Sequence, residues 1–112
     1  MRTPLHPARE DLSLANILYA LGDPVRLRIV GQLATAQQGV SCQHIVLGEG
    51  LPKSTQSHHF RVLREAGLIR MEPQGRRMLV SLRHEDVEAR FPGLLDPILH
   101  LCRGERGSHA IA

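Results

Sequence analysis

Three consecutive residues, Gly22-Asp23-Pro24, constrain this chain more than any other feature. Glycine ends a helix, aspartate caps the next one through its side chain, and proline fits only the first helical turn. Two helices must therefore meet there with almost no linker. Before the break, Leu14, Leu18 and Leu21 form one apolar stripe and Ala15 and Tyr19 a second, in a helical pattern that begins at Asp11. After it, Val25, Ile29, Val30 and Leu33 repeat at helical spacing, with Arg26 and Arg28 off the stripe as candidates to support the fold by pairing with acids.

Further breakers divide the rest. Ser41 is placed to cap a short helix carrying Cys42, Ile45 and Val46, which Gly48-Glu49-Gly50 stops. Pro52-Lys53 opens another helix with Phe60, Leu63 and Ala66 on its inner side, and Gly67 closes it. Residues 68–72 and 78–82 read as strands around Pro73-Gln74-Gly75-Arg76-Arg77, an arginine-bearing hairpin tip. His84 to Arg90 reads as a helical turn broken by Pro92-Gly93, and Asp96 is placed to cap a last apolar helix through Cys102. Residues 1–10 read as a flexible N-terminal arm, 11–103 as the domain, and 104–112 as a flexible tail.

A chain of 112 residues suits one domain, and with aromatics at 3% its core must be aliphatic. The net charge of +3 is compatible with an anionic partner. Two cysteines sixty positions apart, Cys42 and Cys102, fit no disulfide framework, and no segment reads as a signal or a membrane span. The expected compartment is the cytoplasm.

The order helix, helix, short helix, turn, helix, hairpin is that of a winged helix-turn-helix, mainly α with a β-hairpin. In such a fold one helix enters the major groove and the hairpin touches the flanking backbone. Lys53, Ser54, Thr55, Ser57, His58 and His59 concentrate hydrogen-bonding groups in the first turns of the candidate recognition helix, with Arg61 beyond them. Arg76 and Arg77 are the candidate wing contacts. Adjacent residues such as His58 and His59 diverge by about 100° on a helix, which disfavours a shared metal ion.

These segments resemble the ArsR/SmtB family of small dimeric bacterial repressors. Residues 21–30, Leu-Gly-Asp-Pro-Val-Arg-Leu-Arg-Ile-Val, resemble the family's L-x-D-P-x-R-L-x-I-L stretch. Residues 54–69 resemble its S-x-x-S-x-H-L-x-x-L-x-x-A-G-L-V recognition helix and first wing strand, and Gly75-Arg76-Arg77 resembles its wing tip. The likeness covers residues 14 to 83. It departs at Cys42-Gln43-His44-Ile45, where the family often has V-x-E-L. Neither the C-x-C nor the spaced Asp/His/His/Glu set of metal-sensing members is present, so no metal ligand and no cofactor is carried over.

The resemblance implies a homodimeric repressor of double-stranded DNA reading an inverted repeat, released by an effector that the sequence does not name. The terminal helices carry more apolar surface than one face needs, which makes Leu14, Leu18, Leu21, Leu95, Ile98 and Leu99 candidates for the dimer interface. Cys42 and Cys102 admit two readings, small packed hydrophobes or a redox-responsive sensor pair. A winged fold kept only for protein interaction is the alternative from another class. An enzyme is disfavoured by the lack of a nucleophile elbow, a His/His/Glu metal-hydrolase pattern or a phosphate-binding loop.

Overall fold

The breakers fall where the sequence places them. In the computed structural model, which describes residues 2–36 and 38–111 with side chains up to residue 104, helix α1 spans Leu14–Leu21 and α2 spans Pro24–Ala34. Asp23 Oδ2 accepts from the amides of Val25 at 2.9 Å and Arg26 at 3.1 Å, the cap that turns the chain between them. Helix α1 starts later than expected. Ser13 is its cap, accepting from the Asn16 amide, and Arg9–Asp11 form a separate 3-10 turn.

Strand β1 spans Val40–Ser41, α3 spans Lys53–Ala66, β2 spans Ile69–Gln74, and β3 spans Arg77–Leu82. Helix α4, His84–Arg90, and α5, Leu95–Ile111, complete the chain. The antiparallel sheet has the order β1-β3-β2, with Ile69 opposite Leu82 and Gln74 opposite Arg77. The hairpin tip is thus tighter than the five-residue loop expected. Gly75, at φ 62°, takes the left-handed position of a two-residue turn, and Pro73 is tolerated because β2 is an edge strand.

Ile17, Ile29, Val30, Leu63, Leu68, Ile69, Val80, Val87 and Leu95 are fully buried where α1, α2, α3 and α5 close over the sheet. Gly67 ends α3 at φ 86°, a left-handed conformation that favours glycine, and a Cβ there would also displace the Leu12 side chain, 2.0 Å from its Cδ2.

Three expectations are corrected. The short helix after Ser41 is only a 3-10 turn at Cys42–His44, and the Ser41 side chain makes no cap hydrogen bond; its Oγ is buried without a partner among the described residues. The backbone beyond is engaged by side chains of α2 instead. Gln32 Oε1 accepts from the Val46 amide at 2.8 Å, Gln32 Nε2 donates to Val46 O at 2.6 Å, and Arg28 donates to Leu47 O at 2.9 Å. Asp96 does not precede α5 as its cap but lies inside its first turn, with Oδ1 accepting from His84 Nε2 at 2.7 Å. Helix α5 also runs on to Ile111, past Cys102 where the last apolar helix was expected to end.

The N-terminal residues lie along the domain as a strap. His6 Nε2 accepts from the Met71 amide of edge strand β2 at 2.9 Å, Arg83 donates to Pro7 O at 2.8 Å, and Arg64 donates to Leu5 O. Among the described residues no helix is long and apolar enough to cross a membrane.

Candidate nucleic-acid interface

Helix α3 has two faces set by its 3.6-residue period. His59, Phe60, Leu63 and Ala66 are buried, which fixes the phase, and Lys53, Ser54, Ser57, His58 and Arg61 are therefore exposed together. Arg61 donates to His58 Nδ1 at 3.2 Å, so the two side chains form one polar unit one turn apart. Thr55 is half-buried beside this face.

His59 does not belong to it. The ring is buried and its Nδ1 accepts from Arg26 at 3.2 Å, with Asp23 Oδ2 3.8 Å away. Arg26, also buried, donates to Ala20 O at 2.7 Å and to Tyr19 O at 3.4 Å, and its guanidinium lies 5.5 Å from the Tyr19 ring centre. It holds the C-terminal carbonyls of α1 and the ring of α3 in one network. Arg26 and Arg28 thus support the fold by bonding carbonyls and an imidazole, where the sequence pointed to acids.

The wing arrives on the exposed side. Arg76 and Arg77 are exposed at the hairpin tip, Arg77 donating to Gln74 Oε1 at 3.4 Å. Lys53, Ser57, Arg61 and Arg76 line a cleft of about 510 Å³ between α3 and the sheet, together with Met71 and Met78 of the wing strands. Helix face and wing tip are thus one surface. Among the described residues Lys53, Arg61, Arg76 and Arg77 have no carboxylate within ion-pair distance. Their charge, beside the N-terminal turn of α3, is free for an anion.

Gln56 and Arg64 also line the cleft, but both are engaged within the protein, Gln56 Nε2 donating to Leu51 O at 2.8 Å and Arg64 to Leu5 O. Cys42 lies at this cleft too, half-buried, whereas Cys102 is half-buried on α5, and both thiols are free.

The candidate interface leucines separate. Leu21, Leu95 and Leu99 are buried in the protomer's own core. Leu14 and Leu18 are 42% and 47% exposed, Ile98 is half-buried, and Tyr19 and Leu101, which lay outside the expected set of six, are more exposed still.

Two helices, a short connecting turn, a recognition-type helix and a basic hairpin define a winged helix-turn-helix domain. The description "helix-turn-helix domain" fits residues 21–72. The chain is 35% identical over 89 residues to the HTH-type transcriptional regulator YceK of Bacillus subtilis, covering 80% of this chain and 89% of that protein. It is 38% identical over 81 residues to the HTH-type transcriptional repressor SmtB of Mycobacterium tuberculosis, covering 70% of this chain but 58% of that protein. In structure it matches the homodimeric winged helix-turn-helix DNA-binding domain of Mb0332 from Mycobacterium bovis, with a TM-score of 0.60, 24% identity, and coverage of 86% and 82% of the two chains. The chain belongs to the ArsR/SmtB-type helix-turn-helix transcriptional regulators.

Proposed function

We propose that this regulator is a cytoplasmic, homodimeric repressor that reads an inverted-repeat operator with α3 and grips the flanking phosphates with its wing. The observation that carries the reading is the single cationic cleft shared by Lys53, Arg61 and Arg76. Hydroxyl and imidazole groups on the α3 face offer hydrogen bonds to base edges, and the wing arginines offer charge to the backbone. No catalytic step is part of this reading. The repressor SmtB among the relatives and the homodimeric neighbour support it.

In the dimer the exposed stripe of Leu14 and Leu18 on α1 is covered by its copy, alongside Ile98 and Leu101 of α5. Two recognition helices then lie about 34 Å apart, one turn of the duplex. Leu18→Glu should turn the dimer into a folded monomer in sedimentation; an unchanged dimer would place the interface elsewhere.

The deciding experiment incubates the reduced protein with random genomic duplex fragments at about 0.15 M salt and sequences those retained. An enriched inverted repeat is expected. With four cationic contacts per protomer, log K should fall against log[salt] with a slope near about −7. Uniform retention, or a slope shallower than about −3, would overturn the contact set.

A further inference from the structure

The N-terminal strap is held in a way that packing does not explain. Leu5, the aliphatic side chain of the segment, is 88% exposed, so the strap gains little from burial. Three consecutive residues are gripped by polar groups instead. Arg64 donates to Leu5 O, His6 Nε2 accepts from the Met71 amide at 2.9 Å, and Arg83 donates to Pro7 O at 2.8 Å. These anchors fix the path of the chain, and they engage Arg64, a cation of the cleft, in doing so.

That path leads to the cationic face. Pro4, the next residue outward, lines the cleft of α3 and the wing together with Lys53, Arg61 and Arg76. Cα atoms about 3.8 Å apart along the chain put Arg2 within about 7.6 Å of Pro4. Arg2 is exposed, and among the described residues it has no carboxylate within ion-pair distance. Covering the open edge of β2 is served by His6 alone. It does not account for a further uncompensated cation held beside the cleft.

We propose that Arg2 contacts the phosphate backbone of the duplex beside the groove that α3 enters, and that the strap is the device that positions it. The partner in this inference rests on the repressor reading. A guanidinium suits the role, since it is always charged and matches two phosphate oxygens at once. A free arm would have to be ordered at the moment of binding, whereas anchors at Leu5, His6 and Pro7 meet most of that entropy cost when the protein folds. Arg2 thus joins Lys53, Arg61, Arg76 and Arg77 as a fifth cation of each protomer facing the duplex. Arg64 acts at one remove, as a positioning residue that holds the strap.

The test compares the full chain with Arg2→Ala, Arg2→Lys and His6→Ala on one fluorescent duplex taken from the retained genomic fragments, by anisotropy against salt. Each phosphate contact adds about 0.9 to the steepness of log K against log[salt]. Arg2→Ala removes one contact from each protomer of a dimer, so its slope should be shallower by about 1.8 and its affinity at about 0.15 M salt lower by at least about tenfold. Arg2→Lys should keep the wild-type slope. His6→Ala frees the strap but keeps the charge, and should lower affinity by about threefold or more with a smaller change of slope. Urea unfolding should be unchanged in Arg2→Ala, since that side chain is exposed. An Arg2→Ala slope within about 0.5 of wild type would overturn the contact, and wild-type affinity in His6→Ala would overturn the strap's part in positioning it. Both outcomes leave the repressor reading in place. Failure of the wild-type chain to retain any duplex removes that reading, and this contact with it.

Discussion

Two groups of arginines occupy this small domain, and they do different work. Around the N-terminal strap, Arg9 and Arg83 bond the two oxygens of Asp86 at 2.7 and 2.9 Å, and Arg70 lies 3.6 Å from the same carboxylate. Arg64, Arg83 and Arg90 donate to the carbonyls of Leu5, Pro7, Glu10 and Leu12. On the α3 and wing face, among the described residues, Arg61 bonds His58, Arg77 bonds Gln74, and none of Arg61, Arg76 and Arg77 has a carboxylate within ion-pair distance. The difference teaches that a modest net charge of +3 can still present a concentrated cationic surface, because part of the positive charge is compensated elsewhere.

The sharpest way to break this comparison is charge reversal on each side. Arg76→Glu combined with Arg77→Glu should lower duplex affinity by at least about 100-fold at 0.15 M salt and flatten the salt slope by about one unit for each lost phosphate contact. The unfolding free energy should change by less than about 0.5 kcal/mol, since both side chains are exposed. Fluorescence anisotropy against salt and urea unfolding check the two halves. Arg83→Met should show the reverse pattern. Arg83 is buried, and its loss removes a partner of Asp86 and the donor to Pro7 O, which predicts destabilisation of about 2 kcal/mol with an unchanged salt slope. If Arg83→Met weakened DNA binding as strongly as the wing variant while remaining folded, the division between the two groups would not hold.

The same division explains how much was legible beforehand. The α1–α2 junction could be read because Gly22, Asp23 and Pro24 act on backbone within three residues of themselves. The phase of α3 could be read from Phe60, Leu63 and Ala66, and with it most of the exposed polar face. His59 lies on the same stripe, one turn before Leu63, but the partner that lets an imidazole be buried there, Arg26, is thirty-three positions away. The missing helix after Ser41 has the same origin: capping and composition favour a helix locally, and the side chains of Gln32 and Arg28 outcompete it from α2. Spacing likewise finds the apolar stripes of α1 and α5 but cannot say which leucines the protomer's own core takes, and here it takes Leu21, Leu95 and Leu99. The docked strap was hidden in a proline-bearing polar segment whose partners, Met71, Arg64 and Arg83, lie at least fifty-nine positions along the chain.

The smallest expected effect separates two titrating groups of the strap region. Asp86 is held below its ordinary 3.8, first by its hydrogen bond from Arg9 and then by Arg83, so its contribution is present above 3.8 and is lost as pH falls through the lower folded value. His6 is held below its ordinary 6.5, first by burial and then by the charges of Arg64, Arg70 and Arg83. Its Nε2 lone pair accepts the Met71 amide, so protonation removes that bond. Below 6.5 the unfolded chain takes up a proton that the folded chain refuses, so stability declines as pH falls from 6.5 toward the folded value and is level above it. Because the two declines begin at different pH, His6→Gln should flatten part of the decline that starts below pH 6.5 while leaving the loss below 3.8 in place. Urea unfolding of both proteins across that range measures the difference. An identical decline in the variant would show that the histidine is not read through the strap, and the strap would then be held by its arginines alone.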